Sequence, residues 1–195
     1  MLAGTVVAFV MGRLATRTRG IYFAMVTLAL SQCAYFVVYQ ASDWTGGESG
    51  LRGVNLGAIP LPGATLDFLH PLTRYCVLAV FVAAALFALA RILVSPFAAA
   101  VETVRENEGR ARACGYDVRR VWLQAFTLSG AFTGLAGALY APKLSIVPIE
   151  VTDLHTSGLA VMMALLGSAG TFLGPFVGAG LFVAIETVLS GWTEH

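Results

Sequence analysis

The sequence predicts an all-α fold, a polytopic bundle of transmembrane helices, and three observations carry that expectation. The chain is 57% hydrophobic and 12% charged, where an ordinary soluble domain is about 25% charged. Its apolar residues come in blocks rather than at amphipathic spacing. Several blocks approach the roughly 20 residues that a helix rising about 1.5 Å per residue needs to cross about 30 Å of hydrocarbon. Its arginines and lysines also gather in particular loops. Mean hydropathy is +0.78, and the net charge of +1 carries no nucleic-acid footprint and implies no acidic partner.

The elements follow in order. Residues 1–12 form a partial span, apolar over Leu2–Gly12 and too short to cross alone. Arg13, Arg17 and Arg19 make a basic turn. Ile21–Gln40 is the first complete span. Ala41–Arg74 is a polar loop rich in glycine and proline, with Trp44 placed for the membrane interface. Tyr75–Val94 is the next span, and Arg91 near its end can snorkel to the headgroups. Residues 95–120 are charged. Val121–Tyr140 is a third span, and Ala141–Asp153 a short loop. Leu154–Leu166 and Phe176–Leu189 are shorter apolar helices around the Gly- and Pro-containing stretch 167–175. The resulting domain is a single membrane domain over 1–195. Both ends read as cut: the chain starts on half a span and stops on polar Gly191–His195.

Topology and charge agree. If the 13–19 turn and the 95–120 segment share one side, that side holds nine of the twelve basic residues. The other keeps Arg52, Arg74 and Lys143. The positive-inside rule makes the first side cytoplasmic.

The charged segment carries helix punctuation. Pro96 follows the end of a span, and Phe97, Val101 and Val104 recur at helical spacing along a surface helix. Asn107 is a good N-cap, and Glu108 sits where the first turn favours negative charge. Arg110 and Arg112 lie toward the other end, and Gly115 suits the position after the last helical residue. Glu108–Cys114 is then a helix of about two turns, and Asp117 caps the span that follows. A solvated connector is the plain reading. A rigid lever protruding toward a partner is the functional one, because a connector rarely needs starts and stops at both ends.

Within the third span Gly130, Gly134 and Gly137 fall on one face, with Ala131 and Ala138 close by. Gly174 and Gly178 repeat the small-xxx-small spacing. Both patterns permit close helix approach in lipid. The 167–175 stretch is an interfacial turn or part of a re-entrant feature lining a path. Glu186 is the one carboxylate inside an apolar helix, and its nearness to the chain end also allows interfacial exposure. Thr27, Ser31 and Gln32, with Gln124, Thr127 and Ser129, either bond between helices or line a route.

Other chemistries lack their residues. There is no GxxxxGK[ST] phosphate loop. His70, His155 and His195 form no ligand-spaced cluster, so no metal or other cofactor is expected. Cys33, Cys76 and Cys114 lie far apart and read as small apolar fillers. No Ser–His–Asp arrangement is credible.

The stretch RENEGRARACGYDVRRVWLQAFTLSGAFTGLAGALYA closely resembles the cytoplasmic loop and following span of the permease subunits of branched-chain amino acid ABC importers, M-type rather than H-type. TRGIYFAMVTLALSQ at Thr18–Gln32, WTGGESGLRGV at Trp44–Val54 and LGSAGTFLGPFVGAGLFVAIE at Leu166–Glu186 resemble the same family, in its order. The resemblance implies an ABC-importer permease fold in the inner (plasma) membrane, forming half of a translocation pathway. It implies two ABC ATPase subunits, a second, H-type permease and an extracytoplasmic substrate-binding protein as partners, with ATP hydrolysed by the ATPases and no catalysis in this chain. Glu106, Asn107, Glu108, Arg110, Arg112, Gly115, Tyr116 and Asp117 would contact the ATPase. Family members are longer at both ends. A urea or short-chain amide permease is the nearest rival. An ion-coupled secondary transporter would need intramembrane charges, for which Glu186 is the sole candidate, and a membrane enzyme would need a reactive constellation.

Overall fold

The computed structural model describes residues 2–41, 51–52, 59–61, 64–66, 71–144, 146–147, 149–168 and 170–193. Trp44 and most of the 44–54 motif lie outside them, as do His70 and His195. The described chain is helical, with a few very short strands, and divides into two compact units, residues 1–148 and 149–195.

The first unit contains six helices among its described residues. Helix α1 is Leu2–Ala15, α2 Ile21–Gln40, α3 Pro71–Leu93, α4 Pro96–Glu106, α5 Glu108–Ala113 and α6 Val118–Leu144. Proline opens α3 and α4, where its missing N–H costs nothing. Between α2 and α3 the loop holds β1 (Leu51–Arg52), β2 (Ile59–Leu61) and β3 (Ala64–Leu66); β4 (Ile146–Val147) follows α6. β2 and β3 pair antiparallel, and β1 pairs antiparallel with β4 through Leu51↔Val147 and Arg52↔Ile146. Strands of two or three residues are too short to leave a period-2 pattern, so the sequence gives no sign of them.

The principal packing of this unit is α1 on α6. Gly4, Ala8 and Gly12 form a stripe of small residues along α1 that lies against Gly130, Gly134 and Phe126. A Cβ on Gly4 would stand 2.9 Å from Gly134 Cα, and one on Gly12 would stand 2.8 Å from Phe126 Cδ1. Backbones can come this close only without side chains between them. At 14 residues α1 spans about 21 Å, short of a bilayer.

The second unit is a helical hairpin. A 3₁₀ turn at Ile149–Thr152 leads into α7 (Leu154–Leu166), and α8 runs Gly174–Thr193. Asp153 caps α7, its Oδ1 accepting from the Leu154 amide at 2.7 Å. Glycine lets the two helices meet closely beside the turn: a Cβ on Gly174 would overlap the carbonyls of Gly167 and Ser168, and one on Gly178 would overlap the Met163 carbonyl.

Burial follows the pattern of a membrane protein. The buried apolar residues among those described are Ala8, Ala15, Ala100, Val104, Ala111, Val118, Val121 and Ala131, all small. Large apolar side chains point outward, Leu2 at 85% exposure and Phe87 at 69%. In water such a surface would aggregate; in a bilayer it is solvated by lipid. Among the described residues three helices are long and apolar enough to cross a membrane: Ile21–Gln40, Leu72–Leu93 and Gly174–Gly191. The stretch from Phe176 thus belongs to a helix of full spanning length. Helix α6 is long enough at 27 residues, but its glycines, Gln124, Thr127, Ser129 and Thr133 keep it less apolar than those three.

Candidate functional site

The charged segment folds as a compact corner. Ser95, in extended conformation, precedes Pro96 at the start of α4. Asn107 both ends α4 and begins α5: its amide donates to the Thr103 carbonyl at 3.1 Å, and its Oδ1 accepts from the Arg110 amide at 3.0 Å. Its extended backbone (φ −156°, ψ 103°) makes a one-residue break between two helices.

At the other end of α5 the chain closes in a Schellman motif. The Tyr116 amide donates to the Ala111 carbonyl and the Gly115 amide to the Arg112 carbonyl, both at 3.0 Å. Gly115 takes φ +88°, the left-handed conformation glycine tolerates best. Asp117 then caps α6, its Oδ1 accepting from the Arg120 amide at 3.2 Å while its carboxylate pairs with the Arg120 side chain at 2.9 Å.

An apolar cluster holds the corner together. Val104 of α4, Ala111 of α5, and Val118 and Val121 of α6 are buried against one another, with Val101 packed beside them. Six residues of helix have little stability of their own in water. The caps and the fully buried Ala111 supply what the length does not. The outer face carries Glu106, Arg110 and Tyr116, all exposed. Arg112 donates to Glu108 Oε2 at 3.0 Å, one turn away. The same oxygen lies 3.7 Å from Arg19 Nη1, joining α5 to the turn between α1 and α2. The eight residues singled out as ATPase contacts therefore fall on one short stretch around α5.

Sequence reasoning missed two things here. The Arg19–Glu108 pair joins residues 89 positions apart, and neither reveals the other. The α1 stripe was visible as Gly4, Ala8 and Gly12 at spacing four, but small residues announce a close contact without naming its partner.

The other residues singled out are distributed as follows. Gly130 and Gly134 lie at the α1 crossing; Gly137 has no neighbouring atom within 4 Å of where a Cβ would stand. Gly174 and Gly178 lie in the α7–α8 hairpin. Thr27 donates to the Phe23 and Ala24 carbonyls and Ser31 to the Leu28 carbonyl, so both hydroxyls are satisfied along α2 itself. Gln32 is on the same helix, half-buried, and Glu186 is exposed on α8 in the second unit. No group of three or more His, Cys, Asp or Glu side chains suited to a metal ion occurs among the described residues.

Comparison with known proteins agrees with the geometry. A family profile described as "Branched-chain amino acid transport system / permease component" matches residues 1–195. The chain is 28% identical over 213 residues to the high-affinity branched-chain amino acid transport system permease protein LivM of Escherichia coli (strain K12), covering 100% of this chain and 50% of that protein. It is 36% identical over 91 residues to the autoinducer 2 import system permease protein LsrC of Klebsiella pneumoniae, covering 44% of this chain and 26% of that one. The probable branched-chain amino acid transport permease protein LivM of Methanocaldococcus jannaschii is 27% identical over 100 residues, covering 51% of this chain and 29% of that protein. No solved structure matches. The chain spans about half the length of the LivM proteins it matches from end to end. A profile match over the whole chain, on a multi-pass helical membrane protein, settles the assignment: this chain belongs to the branched-chain amino acid transport permease family.

Proposed function

We propose that the chain forms part of the translocation unit of an ABC importer for branched-chain amino acids, and that α5 is the element its ATPase pushes. The observation that carries this reading is the capped, cluster-anchored α5, which presents Glu106, Arg110 and Tyr116 outward. The LivM similarity along the whole chain supports the cargo class.

The mechanism follows from the packing. A partner seated on the outer face of α5 cannot swing it as a free flap, because Ala111 is locked between Val104, Val118 and Val121. Displacement passes instead to the end of α4 and the start of α6. From α6 it reaches α1 through the glycine crossing, and Glu108–Arg19 carries part of it to the α1–α2 turn. Two ATPase subunits supply the hydrolysis, and an H-type permease completes the path. An extracytoplasmic binding protein delivers the amino acid. The basic side, with α5, faces the cytoplasm across the inner membrane, and α6 is a fourth crossing whose polar and small residues meet protein rather than lipid.

The test is uptake of radiolabelled leucine in vesicles carrying the assembled importer. Arg110→Glu with Arg112→Glu, or Ala111→Pro, is expected to abolish ATP-driven uptake while membrane insertion persists. Unchanged uptake in these variants refutes the docking role. Uptake driven by an ion gradient without ATP refutes the importer class.

A further inference from the structure

A cleft of 690 Å³ opens between the α1–α2 turn and the α5–α6 corner, a volume in the range of small-ligand sites. Its walls carry Arg17, Arg19 and Arg119, and Phe23 and Trp122 also line it. Among the described residues Glu108 is the single carboxylate lining it, and that group already bonds Arg112 at 3.0 Å and lies 3.7 Å from Arg19. No carboxylate partner of Arg17 or Arg119 occurs among the described residues. Thr16 lines the cleft as well, and its Oγ1 is the buried side-chain oxygen left without a hydrogen-bond partner among the described residues.

We propose that this cleft holds the headgroup of an anionic phospholipid, its phosphate on Arg17 and Arg119 and its glycerol and upper acyl chain along Phe23 and Trp122. Guanidinium groups suit phosphate oxygens because their donors match them in pairs. The depth is right: Phe23 lies in the first turn of α2, and Ile21–Gln40 is long and apolar enough to cross a bilayer. The cleft therefore opens at the level where headgroups sit and where aromatic residues anchor helices. The two rings are 6.1 Å apart between centroids and give the site an apolar part. A soluble anion such as inorganic phosphate gains nothing from that part, whereas an amphiphile uses both. An acidic surface of a partner protein would be drawn to the arginines but not to the rings. The proposal needs α2 to cross the membrane and is independent of which side is cytoplasmic.

The test is native mass spectrometry of the full chain released from detergent micelles, titrated with phosphatidylglycerol, phosphatidylcholine or inorganic phosphate. Phosphatidylglycerol is expected to be retained and phosphatidylcholine lost. With each basic residue near an anionic headgroup contributing about fivefold, Arg17→Gln with Arg119→Gln should weaken retention about 25-fold. Arg105→Gln, a charge change outside the cleft, should leave it unaltered, and Trp122→Ala should weaken it further. Equal retention of phosphatidylcholine by the unaltered chain overturns the proposal, and that measurement requires no variant. So does undiminished phosphatidylglycerol binding in the Arg17/Arg119 variant. Inorganic phosphate competing as well as the lipid would mean a free-anion site instead. Loss of ATPase association with lipid retention unchanged would mean a protein contact. Lipid retention is read without ATPase or uptake, so this proposal and the importer reading fail separately.

Discussion

Replacing Gly130 with alanine adds one methyl where α6 crosses α1, and the packing leaves no room for it. The new Cβ would overlap the Ala8 side chain, with the Gly4 carbonyl oxygen 3.4 Å away. Gly137, two turns further along the same helix, has nothing within 4 Å of the corresponding position. Alanine is the better helix former by about 0.8–1.0 kcal/mol, and that preference acts at both sites and cancels between them. The remaining difference is overpacking, about 1–3 kcal/mol. Gly137→Ala is thus expected to hold or raise stability, and Gly130→Ala to fall about 1–3 kcal/mol below it. Reversible unfolding in mixed micelles, titrated with sodium dodecyl sulfate and followed by circular dichroism, reads the difference. Ala8→Gly removes the obstructing methyl, so the Ala8→Gly/Gly130→Ala double variant should recover part of the loss, and the cycle isolates the pair. Equal stabilities for the Gly130 and Gly137 variants, or no recovery in the double variant, would show that the α1–α6 crossing does not depend on this contact.

Four further outcomes follow from the corner and the hairpin. Asn107→Ala removes the acceptor for the Arg110 amide and should cost about 1 kcal/mol, read as faster amide hydrogen exchange over residues 108–113, with Asn107→Asp restoring protection. Gly115→Ala forces a Cβ into the left-handed region and should cost about 1–2 kcal/mol by the same readout. The reverse change at Ser168, a non-glycine residue at φ +76°, should gain up to about 1 kcal/mol in Ser168→Gly, measured as a higher midpoint in the micelle titration. Val104→Ala removes two buried methyl groups at about 0.8 kcal/mol each, before any cavity cost. It should loosen α4, α5 and the first turn of α6 together, because all three share the cluster.

What the sequence disclosed and what it withheld divide along one physical line. Local devices were legible. Asn107, Gly115 and Asp117 each act within four residues of themselves, so the two ends of α5 were readable from residue type and spacing. Composition identified the solvent, and with it the helical membrane class. Pairings across the chain were not legible. Ala111 is an unremarkable alanine in sequence, yet it is the fully buried centre of the corner, because Val104 and Val118 happen to flank it in space. Arg19 looked like one more basic residue beside a membrane. The full length of α8 was obscured by Gly174 and Pro175, which read as part of the 167–175 interruption although they begin the helix; Gly174 and Gly178, read as close-packing residues, form its contact with α7. The strands between α2 and α3 were beyond reach at two or three residues each.

A solvated connector and a lever make different demands on the same twenty-odd residues. A connector between two spans needs polarity and slack. It has no reason to bury an alanine completely, and a six-residue helix within it would have no source of stability. The observed corner has little slack. Asn107 and the Gly115 motif fix both ends of α5, Ala111 pins its middle, Glu108 ties it to Arg19, and Asp117 starts α6 within four residues of its last turn. Each fixing interaction is worth at most about 2 kcal/mol alone. They act on one rigid element, so a load on its outer face is shared among them rather than met by each in turn. A segment built this way yields as a body or not at all, and the helices attached to it are those that must move when it does.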